Sequence, residues 1–216
     1  MKVDQIISII SLNTQGLRNL YSVESTLKKY NIILIQEAST SMTKFSKTLK
    51  EIKNGISNRF PHYNIHLNLK GNLCILCKKG IQIIHIIDGE RFQRILIGYH
   101  AQQIEIYNIH LNPEEKLKKQ NLGTLKRCLQ KNQGHPTILI GDFNMCLTKH
   151  DTDAQSRIDI PKFKFFQQEN DLVDIFRSFH GNIYARTCFT NLSNPSRVDY
   201  ALANNKAIDI INWCDI

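Results

Sequence analysis

The chain is short of glycine and proline, with 10 and 5 among 216 residues. That scarcity, beside 42% hydrophobic residues, excludes a disordered, collagen-like or linker sequence. No apolar run approaches the ~18 residues of a membrane-spanning helix. The first apolar stretch, Ile6 to Leu12, follows Asp4, is interrupted by Ser8 and Ser11, and has no small-residue cleavage site after it. It reads as a strand, not as a secretory leader. Acidic residues are few as well: 19 against 28 Lys and Arg, a formal net charge of +9. A positive surface gathers polyanions, and nucleic acid is the commonest of these. The lysines are spread along the chain, so no basic tail is formed. The six cysteines (Cys74, Cys77, Cys128, Cys146, Cys188, Cys214) are irregularly spaced. Cys74-Ile-Leu-Cys77 has zinc-like spacing, but no second pair completes four ligands. It also lies in a strand-like run, which turns the two thiols to opposite faces. Reduced thiols in an intracellular protein are the expectation.

What the chain does have is a succession of short strand signals with helices between some of them. Strands are predicted over 6–12, 31–37, 63–67, 72–77, 81–87, 92–98, 103–110, 137–140, 197–202 and 208–211. Asp88-Gly89 marks a hairpin between two of them. Helices are predicted over 21–30, over 43–56, where Phe45, Leu49, Ile52 and Ile56 recur at helical spacing, from Pro161 through Phe163 and Phe166, and over 172–179. The best helix start is Asn112-Pro113-Glu114-Glu115, with Asn112 as the cap, Pro113 at the first helical position and Gly134 beyond the end. The run of successive strands between 63 and 110 is antiparallel in character, which argues for a layered α/β protein and against a doubly wound parallel sheet. No repeat or linker divides the chain, so one domain spans 1–216.

Several apolar strands end in a polar group that can do chemistry. Ile9-Ile10-Ser11-Leu12 ends at Asn13, Ile32 to Gln36 at Glu37, Ile104 to Ile109 at His110, and Ile138 to Gly141 at Asp142, with Asn144 close behind. Strand ends are rigid platforms on which sites are built. A carboxylate after an apolar strand costs solvation unless it is paired or bound to a metal. Glu37 and Asp142 on neighbouring strands would make a site for a hard cation, magnesium or manganese. Taken singly, Asn13 and Asp142 read equally as turn formers, Glu37 as a surface carboxylate and His110 as a structural histidine. Their joint order along the chain is what points to a site.

The strings SLNTQGLRN (Ser11 to Asn19), NIILIQE (Asn31 to Glu37), YNIHLNP (Tyr107 to Pro113), ILIGDFN (Ile138 to Asn144), NDLVDIFRSFH (Asn170 to His180) and SRVDYAL (Ser196 to Leu202) span nearly the whole chain. In this order the chain resembles the endonuclease/exonuclease/phosphatase superfamily, and within it the apurinic-type endonuclease domains of LINE-type (non-LTR) retrotransposons. The resemblance implies a deoxyribonuclease-I-like four-layer α/β sandwich: two mixed β-sheets face to face, flanked by helices. It implies a catalytic set of Asn13, Glu37, His110, Asp142, Asn144 and Asp199, with Glu37, Asn13 and Asp142 at the Mg2+ or Mn2+. Asp142 would orient or activate water, Asn144 would bind phosphate and nucleophile, and His110 would contact the scissile phosphate. Asp199 matches an aspartate that supports a histidine. Thr187 stands near the site, Thr187, Arg197 and Asn112 fall among substrate-binding residues, and Arg197 and Asp174 are also read as structural, near the site.

Three departures accompany the resemblance. The sequence closes on Trp213-Cys214-Asp215-Ile216 where the family has Ser-Asp-His, so the domain is expected to lack its last strand and that triplet, and His180 and His150 do not replace it by position. Glu37 is followed by Ala38-Ser39 instead of Thr and a basic residue. His110 stands where retrotransposon enzymes more often carry Tyr and some other phosphodiesterases carry His. The function implied is a divalent-metal-dependent DNA endonuclease that nicks one strand through backbone contacts to double-stranded DNA, nuclear, without membrane association, and accompanied by a reverse transcriptase domain in its parent polypeptide. The alternatives are a phosphodiesterase on RNA, nucleotide or lipid, or an inactive domain of the same family.

Overall fold

A computed structural model describes residues 6–38, 49–68, 72–131, 134–153, 160–189 and 194–216. In the first sheet, β1 (Ile9–Asn13) runs parallel to β2 (Ile32–Gln36). β2 is antiparallel to β4 (Leu73–Lys78), and β4 to β3 (Tyr63–Leu67), giving the order β1-β2-β4-β3. The second sheet contains β5 (Gln82–Asp88), β6 (Phe92–Tyr99), β7 (Gln102–His110), β8 (Thr137–Asp142), β9 (Leu172–Asp174) and β10 (Asp199–Asn204), in the order β5-β6-β7-β8-β10-β9. Only β7 and β8 are parallel in it. Their crossover is α4 (Glu115–Gln130), whose length suits a parallel connection.

Three apolar interfaces separate four layers. Ile32, Leu34, Ile75, Ile95, Ile97, Ile106 and Ile138 fill the space between the sheets. Leu20, Ile33, Ile52, Ile56, Phe60 and Leu76 join the first sheet to α1 (Leu17–Ser22), α2 (Glu24–Leu27) and α3 (Leu49–Arg59). Tyr107, Leu125, Leu139, Phe143, Phe163 and Leu202 join the second sheet to α4 and α5 (Ile160–Glu169). Strands buried on both faces explain why β2 and β4 read as continuous apolar runs without alternation. The Cys74 and Cys77 thiols do face opposite ways, one toward the helices and one between the sheets. Burial pushes both up to about 12, which leaves them inert thiols.

Several element expectations are corrected. Residues 21–30 form two short helices, broken at Val23, instead of one. The helix expected over 43–56 is observed as α3, and its first part, including Phe45, lies outside the described residues. Residues 172–179 are not all helix: Leu172–Asp174 pair with β10 as an edge strand before α6 (Ile175–His180). The strand expected over 208–211 is absent; Asn204 instead caps α7 (Asn205–Ile208), its side chain accepting from Ala207 N at 3.0 Å. Asn112 does not cap α4, which starts at Glu115; its side chain accepts from Glu114 N at 2.9 Å, forming a turn ahead of the helix.

Gly141 sits in β8 with φ of +138°, and a Cβ there would fall 2.1 Å from the Ile109 carbonyl oxygen of β7. Backbone, unlike a side-chain tip, cannot swing away. Gly141→Ala is therefore expected to lower stability by about 1–3 kcal/mol, read from the chemical denaturation midpoint. An unchanged midpoint would show that β7 and β8 tolerate separation.

Candidate active site

Register brings the polar strand ends to one level. Asn13 lies opposite Gln36, so Glu37 emerges beside the end of β1. His110 pairs with Asp142 across the parallel β7–β8 ladder, and Asp199 pairs with Asp142 from the antiparallel β10. Asp142 thus stands between His110 and Asp199. The first sheet faces it: Asn13 Nδ2 donates to Asp142 Oδ2 at 3.2 Å and to Glu37 Oε1 at 3.1 Å. His110 Nε2 lies 3.3 Å from the same Glu37 oxygen. One amide and one imidazole therefore join carboxylates from the two sheets.

The loops leaving these strands turn sharply. Gln15, Glu37 and Asn144 have φ of 48°, 55° and 49°, in the left-handed region where side chains are disfavoured. Local hydrogen bonds hold the turns. Asn19 Nδ2 donates to Thr14 O at 2.8 Å. Asn144 N donates to Asp142 Oδ1 at 2.8 Å, and Asn144 Nδ2 to Leu111 O at 2.9 Å.

The electrostatics follow from burial and crowded acids. Burial, with Asp199 beside it, pushes the Asp142 carboxyl up to about 7, although Asn144 N–H and Asn13 partly offset this. Burial also raises Asp199, against the Thr187 hydroxyl that bonds it. Thr187 Oγ1 in turn accepts from Val198 N and Asp199 N at 3.1 and 3.2 Å. Burial lowers His110 and favours its neutral form, with Glu37 opposing. Such strongly displaced values gather where proton transfer is arranged.

Not every expected residue reaches this cluster. Arg197 is fully buried and does not face substrate. Its Nε donates to Asp151 Oδ1 at 2.8 Å and its Nη2 to Asp174 Oδ2, with Arg177 joining Asp151 at 2.7 Å. It braces the backbone that enters β10, two residues before Asp199. Asp174, read from the resemblance as structural, is its partner. Asn112 is committed to its local turn, as described above. Asn13 turns its amide nitrogen to the carboxylates, while its Oδ1 accepts from Gln15 N at 3.2 Å. His180 Nε2 binds Cys214 O at 2.6 Å, away from the cluster.

Among the described residues no group of three or more His, Cys, Asp and Glu is arranged to hold a metal ion. The donors that are present, Glu37 and Asp142, are carboxylate oxygens. They fit a hard, largely hydrated cation, which needs only one or two protein carboxylates, better than an all-protein cage.

Sequence reasoning missed the polar contacts behind the cluster. Gln36 Nε2 donates to Ser11 Oγ at 3.0 Å and to Asn108 Oδ1 at 2.6 Å, and Asn108 Nδ2 donates to Ile35 O and Cys74 O at 3.1 and 3.2 Å. This buried network ties the two sheets directly behind Glu37 and His110. The available signal was Gln36 closing the otherwise apolar β2 and Asn108 set between apolar residues of β7, because a buried amide must find partners.

The fold is similar to that of the endonuclease domain of TRAS1, a telomere-specific non-LTR retrotransposon, at 15% identity and a TM-score of 0.70, over 96% of this chain and 90% of that one. It is similar to the Xenopus laevis APE2 catalytic domain at 16% identity and 0.69, over 94% and 84%. It is also similar to a humanized D. rerio TDP2 at 14% identity and 0.62, over 92% and 83%. None of the curated proteins matches the chain significantly. The sequence pattern of the Endonuclease/Exonuclease/phosphatase family matches residues 10–212, nearly the full length, and the chain belongs to that family.

Proposed function

We propose that this chain is a divalent-metal-dependent phosphodiester hydrolase and, specifically, a DNA endonuclease that nicks one strand. The observation that carries this reading is the meeting of Glu37, Asn13, His110, Asp142 and Asp199 at one end of the two sheets, with Asp142 near neutrality. Glu37, with Asp142 beside it, would hold Mg2+ or Mn2+, and that ion supplies a Lewis acid for the phosphoryl oxygens. Asp142, held by Asn144 N–H and Asn13 Nδ2, would accept the proton of the attacking water. Asn13 fixes the relative position of the two carboxylates. Neutral His110 donates to a phosphate oxygen without adding a buried charge. Asp199, held by Thr187, sustains the high proton affinity of Asp142.

DNA as substrate is supported by the +9 charge and by the retrotransposon endonuclease among the fold neighbours. Binding through phosphates would weaken as salt rises. A nuclear location beside a reverse transcriptase belongs to the same proposal. Among the described residues no helix is long and apolar enough to cross a membrane.

The test is conversion of supercoiled plasmid to open circle with Mg2+ or Mn2+ against EDTA. Metal-dependent nicking is expected, with a loss of about 100-fold or more in Glu37→Ala. Nicking that survives EDTA or Glu37→Ala sinks the proposal. His110, in place of the more usual Tyr, favours a second reading: a phosphodiesterase on RNA, nucleotide or lipid. Inactivity on plasmid with metal-dependent cleavage in a panel of those substrates would select it.

A further inference from the structure

We propose that Lys118 of α4 is a positioning residue for this reaction: its buried ammonium holds the Asn144 carbonyl and thereby sets Asn144 against Asp142. The inference rests on the phosphodiesterase reading above.

The inward stripe of α4 runs through positions 118, 122, 125 and 129 at helical spacing. Leu125 is fully buried, and Leu122 and Leu129 pack on the same core. Lys118 takes the first position of that stripe and is only 8% exposed. An ammonium so placed costs solvation unless a specific acceptor meets it. Its Nζ donates to Asn144 O at 2.7 Å.

Asn144 is the residue in this loop whose backbone most needs holding, with φ of 49°. It is gripped at three atoms. Its N–H donates to Asp142 Oδ1, its side-chain amide donates to Leu111 O, and its carbonyl accepts from Lys118. The first two grips come from the strand ends that carry the site. The third comes from the helical layer and fixes the rotation of the peptide after Asn144. Without it the residue can relax toward ordinary backbone angles. That motion draws its N–H off the Asp142 carboxylate and swings its side-chain amide. Lys118 thus connects the α4 layer to the orientation of the proton-accepting carboxyl.

Lys118→Met keeps the length of the buried stem and removes the donor, whereas Lys118→Arg restores a cationic donor. In plasmid nicking, Lys118→Met is expected to lower kcat about 10- to 100-fold, the range for partners that orient reacting groups. KM should stay within about threefold and Lys118→Arg should recover part of the loss. Amide hydrogen exchange supplies a readout that needs no turnover. Asn144 N–H should exchange at least about tenfold faster in Lys118→Met, with the β8 amides of Leu139 and Ile140 unchanged. Wild-type kcat in Lys118→Met overturns the proposal, as does unchanged exchange at Asn144. Faster exchange throughout β8 with a lowered Tm also overturns it, since that marks a merely structural residue. If the wild-type chain cleaves no phosphodiester, the function proposed above fails, and the exchange result alone decides whether Lys118 positions Asn144.

Discussion

Asp142→Asn is expected to cut single-turnover plasmid nicking about 100- to 10,000-fold, the range for loss of a positioned acid or base. The asparagine is isosteric and can still accept the Asn144 N–H, but it cannot take a proton. The same change carries a stability signature of definite sign. The ordinary value for this carboxyl is 3.8, and in the fold it is raised to about 7, by burial first and Asp199 second. Between those values the folded protein binds a proton that the unfolded chain has released. Stability therefore falls as pH rises through that window. Metal-free Asp142→Asn should consequently melt above the wild type at pH 8, and the two should converge near pH 4. An added divalent cation favours the ionised wild-type carboxylate and should narrow the gap at pH 8. An Asp142→Asn protein that melts below the wild type at both pH values would show that the buried acid is not electrostatically costly.

Arg197→Met should have the largest effect on stability, about 3–5 kcal/mol. The guanidinium spans Asp151 and Asp174, and its removal takes the ion-pair partner from buried Asp174 and leaves buried Asp151 to Arg177 and Thr148. Asp151 is instructive here. Burial alone would raise its pKa, yet Arg197 and Arg177 hold it below the ordinary range. The backbone is tied in as well: Arg197 N donates to Asp151 O at 2.7 Å, and Tyr200 OH donates to Arg197 O at 2.9 Å. In a chain of this size the loss amounts to roughly 6 to 20 °C in Tm. Arg197→Lys should recover little, because one ammonium cannot span two carboxylates in the planar geometry of a guanidinium. A midpoint within about 1 kcal/mol of the wild type would mean that the two acids find other partners or take up protons at little cost.

The strands were the most legible part of the sequence. Tyr63–Leu67 is observed with its expected limits, and β4 to β8 are displaced by two residues at most. β4, β6, β8 and most of β7 are apolar runs buried on both faces, the condition under which composition alone marks a strand, whereas β3 alternates and β5 stays largely exposed. The misread segments are those where tertiary contacts overrode local preference. Leu172–Asp174 carries helix-compatible residues but completes the edge beside β10. Ile208–Ile211 is apolar because it packs beneath the second sheet, not because it joins it.

The site divides in the same way. Chain order alone could nominate Asn13, Glu37, His110, Asp142 and Asn144, because each ends or follows an apolar strand and strand ends are platforms, whereas Asp199 was implied only by the family resemblance. Linear order cannot express which of them touch. Only the pairing of β7, β8 and β10 puts Asp142 between His110 and Asp199, and only the packing of two sheets brings Asn13 across to bridge Glu37 and Asp142. The resemblance offered Arg197 both as a substrate-binding residue and as a structural one, and only its burial between Asp151 and Asp174 makes it a brace. Residue type determines what a side chain is able to do. Its dielectric surroundings and its neighbours determine what it does, and both are set by contacts far apart in the chain.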